Sequence, residues 1–198
     1  KTLFPYTTLF RSAHAIQDEP VQPLIALGST GQLQGAQWQV VGFQHRMGRE
    51  PDDPDEHFGW EEYLLYNRKR GFTFLVDSTE GWSIVKPTTG APVMTGNGQS
   101  ASWQGTTYKQ QYAYQAETTY VAGEFYWQVQ RGQTSSNRDF AAGDKLLSME
   151  QTPSELTWSS GSKIDSDTVE LHLADAGAPT PVAVGEVESQ ISVTVQYE

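Results

Sequence analysis

Alternation with a period of two constrains this chain more than any other feature. Trp38, Val40 and Gly42 are interleaved with Gln37, Gln39 and Val41, and Phe72, Phe74 and Val76 with Thr73 and Leu75. Phe125, Trp127 and Val129 are interleaved in the same way with Glu124, Tyr126, Gln128 and Gln130. Successive side chains of an extended chain point to opposite faces, so each segment reads as a half-buried antiparallel strand. Turn formers separate these segments at short spacing: Gly28 to Gly31, Gly35, Asn67 to Gly71, Glu80-Gly81 and the glycine-rich run Gly90 to Ser100. Helix has little room. The best helical candidate, Gly143 to Gln151, is too short to stand alone and reads equally well as strand.

Residues 13–23 are polar, carry two prolines and read as a linker into a first strand at Leu24 to Leu27. Val169 to Leu173 and Ile191 to Tyr197 read as two further strands in an extension spanning 165–198. The eleven residues before Ala13, TLFPYTTLFRS, do not form a signal peptide, because Pro5, Tyr6 and two threonines interrupt the apolar run. They coincide with a translated short-read sequencing adapter. Residues 1–12 are therefore expected to contribute nothing to the fold, and a native beginning is expected to be missing.

Three signposts recur in the same order along the chain. Gln34-Gly35 precedes Trp38 as Gln104-Gly105 precedes Tyr108; Gly59 to Tyr63 has a counterpart in Gly123 to Trp127; Trp82-Ser83 has one in Trp158-Ser159. Together they predict an all-β protein of two tandem, similarly patterned small antiparallel barrels or sandwiches, one over 24–90 and one over 91–164. Trp38 and Trp82 then belong to one core, and Tyr108, Trp127 and Trp158 to a second.

With 24 Asp and Glu against 13 Lys and Arg, the net charge of -11 opposes nucleic-acid phosphates and anionic headgroups at long range. Nucleic acid is excluded as an expected partner. The absence of cysteine rules out disulfides, thiolate metal sites and cysteine nucleophiles. No apolar run approaches the roughly 20 residues of a spanning helix, so membrane insertion is not expected.

Few residues suggest chemistry. Glu61 and Glu62 form a carboxylate pair between Trp60 and Tyr63, but neighbours on a strand face opposite ways and cannot share a pocket. Glu62 and Glu124, in matched signposts, are the stronger candidates for a shared role. Glu50, Asp52, Asp53, Asp55, Glu56 and His57 make an acidic loop broken by Pro51 and Pro54, without the spacing of a calcium loop. His14 falls in the linker, His45 at a strand end, His57 in the acidic loop and His172 on an outer strand face, and none has zinc-pair spacing. No nucleophile elbow, phosphate loop or dinucleotide fingerprint is present; Gly28, Gly31, Gly96 and Gly98 read as turn glycines. Tyr66, Tyr112, Tyr114, Tyr120 and Tyr126 offer either a stacking surface or ordinary strand packing.

Five blocks in order, LGSTGQLQGAQWQVVGF from Leu27, WEEYLLYN from Trp60, GFTFLV from Gly71, GEFYWQV from Gly123 and LLSMEQTPSELTWSSG from Leu146, resemble the bacterial domain-of-unknown-function family 4178 over about Leu24 to Ile164. Members of that family commonly begin with a small zinc ribbon, absent from this fragment, and their genes lie near those for polyamine synthesis and membrane stress. The resemblance implies a cytoplasmic, non-catalytic accessory or binding module, without a cofactor in this fragment, for a protein partner or a cationic small molecule. Glu62, Tyr63, Glu124 and Tyr126 are the expected ligand contacts, and no catalytic or metal-binding residue is assigned. The alternative is an enzyme of unrecognised class using Glu62 or Glu124 as acid or base.

Overall fold

The structure, a computed structural model, describes residues 21–51, 53 and 55–169. Their strands are β1 (Thr30–Leu33), β2 (Ala36–Arg49), β3 (His57–Asn67), β4 (Gly71–Ser78), β5 (Gly81–Pro87), β6 (Val93–Thr95), β7 (Ser100–Trp103), β8 (Thr106–Gly123), β9 (Thr134–Ala142), β10 (Lys145–Gln151) and β11 (Leu156–Lys163). Neighbours run in the order β1-β2-β3-β4-β5-β11-β10-β9-β8-β7-β6, and β2 also pairs with β8. That last pairing closes eight antiparallel strands, β2 to β5 and β8 to β11, into one barrel and leaves β1, β6 and β7 outside it.

The all-β expectation holds, but the two predicted units meet in one ring instead of each closing on itself. Each half, taken alone, is a sheet with two unpaired edges, which costs hydrogen bonds or invites aggregation. Joining β2 to β8 and β5 to β11 pairs both edges at once. The strand order also reads alike from both ends: an outer arm, a long strand, then three shorter ones.

Two of the three signposts fall at matching places. Gln34-Gly35 and Gln104-Gly105 both form two-residue hairpin turns with positive φ at each residue, 50° and 71° in the first and 48° and 77° in the second. This is the type I′ geometry that suits the twist of paired strands and needs glycine at its second place. Trp38 and Tyr108 follow on β2 and β8, and Trp82 and Trp158 lie near the starts of β5 and β11. The middle signpost fails. Gly59 to Tyr63 lies within β3, whereas Gly123 ends β8 and the predicted strand Phe125 to Val129 is a loop; the place matching β3 is taken by β9.

Other local expectations change too. Leu24 to Leu27 is not a strand, although Ile25 is fully buried and Gly28 N donates to Val40 O. Gly143 to Gln151 resolves to a turn and strand β10. Val169 ends a one-turn helix, Ser166–Val169, in place of the predicted strand start. Residues 1–12, His14, Asp52, Leu171 to Leu173 and Ile191 to Tyr197 lie outside the described residues.

Both faces of the ring strands are covered. One face carries two apolar clusters: Trp38, Val40, Phe43, Tyr63, Leu65, Leu75, Trp82 and Ile84 in the first half, closed by Ile25, Leu33, Ala36 and Val169, and Tyr108, Phe140, Leu147, Met149 and Trp158 in the second, closed by Ala101 and Trp103. Trp38, Trp82, Tyr108 and Trp158 thus separate as expected. Trp127 does not join them; it is 39% exposed and rests on Phe74, Phe125 and Tyr126. Side chains from strands that are not paired, such as Trp60 of β3 and Tyr114 of β8 with ring centroids 5.6 Å apart, meet on the opposite face, which therefore lines the barrel interior.

Candidate functional site

The barrel interior is mixed: Trp60, Leu64, Phe74 and Tyr114 line it, and a charged network is buried beside them. Arg46, on the interior face of β2, is buried and extends to β9 and β10: Nη1 donates to Glu150 Oε2 at 2.6 Å and Nη2 to Ser135 Oγ at 2.8 Å. Glu62 Oε1 stands 3.7 Å from Nη1, and the Trp60 ring lies 5.4 Å from the guanidinium carbon. Burial opposes the Arg46 charge, but Glu62 and Glu150 outweigh it and hold its pKa above the ordinary arginine value. Arg46 Nε has no partner among the described residues.

Both oxygens of Glu62 are engaged by its neighbours. Trp60 Nε1 donates to Oε1 and Gln44 Nε2 to Oε2, each at 2.6 Å. These donors sit where the pleat puts them: Gln44 is the direct cross-strand partner of Glu62, and Trp60 is two residues away on the same face. Both oxygens accept from neighbouring side chains and a guanidinium stands beside them, so the carboxylate is held within the protein.

A second interior chain completes the network. Tyr114 donates to Asp139 Oδ2 at 2.8 Å, and Ser148 donates to Oδ1 at 2.6 Å. Burial pushes the Asp139 carboxyl above its usual range despite those two donors, and burial with the Asp139 charge pushes the Tyr114 phenol up. Ser135, which accepts from Arg46, donates to Asn137 Oδ1 at 2.6 Å, so Asn137 belongs to the Arg46 group.

The four expected ligand contacts separate. Glu62 faces the interior, but Tyr63 points the other way into the first apolar cluster, where its hydroxyl donates to Glu61 Oε2 at 2.6 Å and accepts from Leu24 N at 3.0 Å. Tyr63 is therefore a core residue; burial first, then the Glu61 contact, raises its pKa. Glu124 and Tyr126 lie in the loop after β8. The Glu124 amide donates to Val41 O, and the Tyr126 ring packs 4.6 Å from Phe72. Matched signposts do not bring Glu62 and Glu124 together, because their blocks occupy unlike elements.

The five tyrosines form no common surface: Tyr114 is interior with Tyr112 packed against its cluster, Tyr112 donates to Glu80 at 2.6 Å, Tyr120 packs on Phe43, and Tyr66 and Tyr126 share a neighbour, Phe72. His45 lies inside β2, not at its end, with Nδ1 2.6 Å from Thr119 Oγ1. Among the described residues no group of three His, Asp or Glu side chains is placed to hold a metal ion.

Sequence reasoning missed Arg46, Gln44, Glu150, Asp139, Asn137 and Ser135. On β9 and β10 alternation signals only Ser148 and Glu150, interleaved with Leu147 and Met149 on β10; on β9 residues 134–139 are all polar, so no alternation marks Ser135, Asn137 and Asp139. A polar stripe ordinarily means solvent. Here it means an enclosed interior.

The sequence profile of the family described as Domain of unknown function (DUF4178) matches residues 26–166, a span that contains every strand among the described residues. No curated protein and no solved structure matches.

Proposed function

The chain belongs to the DUF4178 family, and from that premise we propose that it is a non-catalytic binding module for a cationic ligand or a basic protein surface. The observation that carries this reading is the internal engagement of Glu62, whose two oxygens accept from Trp60 and Gln44 beside Arg46. The strongest acid–base candidate is thereby committed to the interior, so the outer surface is left to do the recognition. The net charge of -11 supports a cationic ligand, and Glu50, Asp53, Asp55 and Glu56 concentrate part of it in the β2–β3 loop. The family resemblance supports an accessory role beside bacterial membrane-stress or polyamine-linked proteins.

Titration of isotope-labelled protein with spermidine at low ionic strength tests this. Amide shifts should concentrate between residues 49 and 57 and weaken as salt shortens the Debye length. Spermidine that leaves these amides unmoved would remove the cationic-ligand reading.

A further inference from the structure

The opposite end of β3 has the opposite character. Eleven residues, roughly 35 Å of strand, separate the acidic loop from the β3–β4 turn, where Arg68, Lys69 and Arg70 are consecutive and exposed. Three of the chain's 13 basic residues thus crowd one turn of an acidic protein. Directly behind it stand the paired Tyr66 and Phe72, with ring centroids 5.0 Å apart, and Tyr126 packs on Phe72 from the loop after β8. Trp127 follows at the surface, its ring 4.4 Å from Tyr126.

We infer that this end of the barrel, the Arg68 to Arg70 turn with the Tyr126-Trp127 edge, docks on an anionic lipid surface. A bilayer interface takes this combination: guanidinium and ammonium groups among phosphates, with the amphipathic rings of Trp and Tyr at headgroup depth. Single-stranded nucleic acid fits less well, because stacking needs free ring faces. Here Trp127 meets Phe74 at 67° and Phe125 at 81°, edge-to-face contacts that each cover a face of one of the two rings. The chain's excess negative charge does not forbid contact. At physiological salt the Debye length is about 8 Å, so charges at the far end of β3 are screened from a membrane touching the turn. Each basic residue near an anionic leaflet favours binding by about fivefold, so three give about a hundredfold, and the surface aromatics add to it.

The surface is independent of the acidic loop and survives if the cationic-ligand reading fails. Sedimentation of the full chain with vesicles of phosphatidylcholine alone, or with phosphatidylserine added, provides the test at 0.15 M salt. Binding should require phosphatidylserine, fall at least tenfold in the triple variant Arg68→Glu, Lys69→Glu, Arg70→Glu, and fall less in Trp127→Ser. A control of equal charge change elsewhere, Lys86→Glu, Lys109→Glu, Lys145→Glu, should retain most of the binding. An unchanged melting temperature in each variant keeps folding out of the comparison. The inference is overturned by absence of binding to phosphatidylserine vesicles, by equal loss in the control, or by retention on oligo-dT or an acidic peptide with the vesicles left unbound.

Discussion

The two halves of the barrel place their strands alike and fill them differently. In the first half twelve buried residues make the outer cluster, and two of them, Ile25 and Val169, come from segments flanking all the strands. In the second half six buried residues suffice, covered by β7 through Ala101 with Trp103 beside it. The lesson lies in what stays constant. Both halves keep the outer arm with its two-residue turn, the long strand and the tryptophan near the last strand, while the identity of the cover varies. Hydrogen-bonded order is held by the ring; each cluster is closed by whatever chain is at hand.

Large-to-small changes give the largest test of that comparison. Trp82→Ala in one half and Trp158→Ala in the other should each cost about 3–5 kcal/mol, a large share of a domain's roughly 5–15 kcal/mol. Because both seams are hydrogen-bonded, either change should lower a single melting transition and reduce amide-exchange protection in β4 and β10 together. Protection kept in one half while the other opens would mean that the halves fold independently.

The interior is where the halves depend on each other. Arg46 and Glu62 come from the first half, and Glu150 and Ser135 from the second. Arg46→Met should cost roughly 3 kcal/mol, toward the low side for a broken buried pair because the Glu150 side chain is 35% exposed. Adding Glu62→Gln and Glu150→Gln should restore most of the loss, since the penalty arises from carboxylates left without their cation. A triple variant no more stable than Arg46→Met in urea denaturation would show that packing, not charge, holds this region.

The seams come next in size. At β5–β11, Gly161 lies against the Ile84 carbonyl, and a Cβ there would collide with backbone that cannot move without opening the pairing. Gly161→Ala should cost about 1–3 kcal/mol, whereas Ala at Gly143, in the open β9–β10 turn, meets no such contact and pays only for its left-handed φ of 63°. Equal melting shifts for the two would mean that the seam is looser than its geometry implies.

Strand period and turn chemistry were legible because they are local. Gln34-Gly35 and Gln104-Gly105 specify the same turn wherever they occur, and the alternation in β2 and β4 survives into the structure with only a bulge at Val41. Ring closure was not legible. Two sheets that close separately and two that close on each other share the same alternation, and the choice rests on pairing between residues far apart, such as Arg49 with Gln115. Glu124 to Val129 misled because Phe125 and Tyr126 are drawn onto Leu64, Phe72 and Phe74 as a plug, so their apolar character reflects a tertiary surface and not a strand face. Arg46 escaped notice for the complementary reason: a charge on an alternating strand suggests solvent, and only the closed ring turns that face inward.

The smallest effect separates the halves by the sign of their response to pH. His45, at the β2–β8 seam, is held below the usual histidine value near 6.5 by burial, with Glu61 partly opposing. Its folded pKa lies below its unfolded one, so the unfolded chain binds more protons, and stability falls as pH drops from about 6.5 through the folded value. Asp139 in the second half runs the other way. Burial raises its folded pKa, the native state holds the extra proton, and its contribution is lost as pH rises through the carboxylate range. The two contributions therefore have opposite slopes, and that of the histidine should be modest because the ring is partly exposed. His45→Gln should flatten the fall in melting temperature as pH drops from about 6.5, whereas Asp139→Asn should remove a contribution of the opposite slope and so steepen the fall wherever the two overlap. A wild-type profile already flat as pH drops from that value, or one flattened by Asp139→Asn and not by His45→Gln, would show that the seam histidine is not the group that sets it.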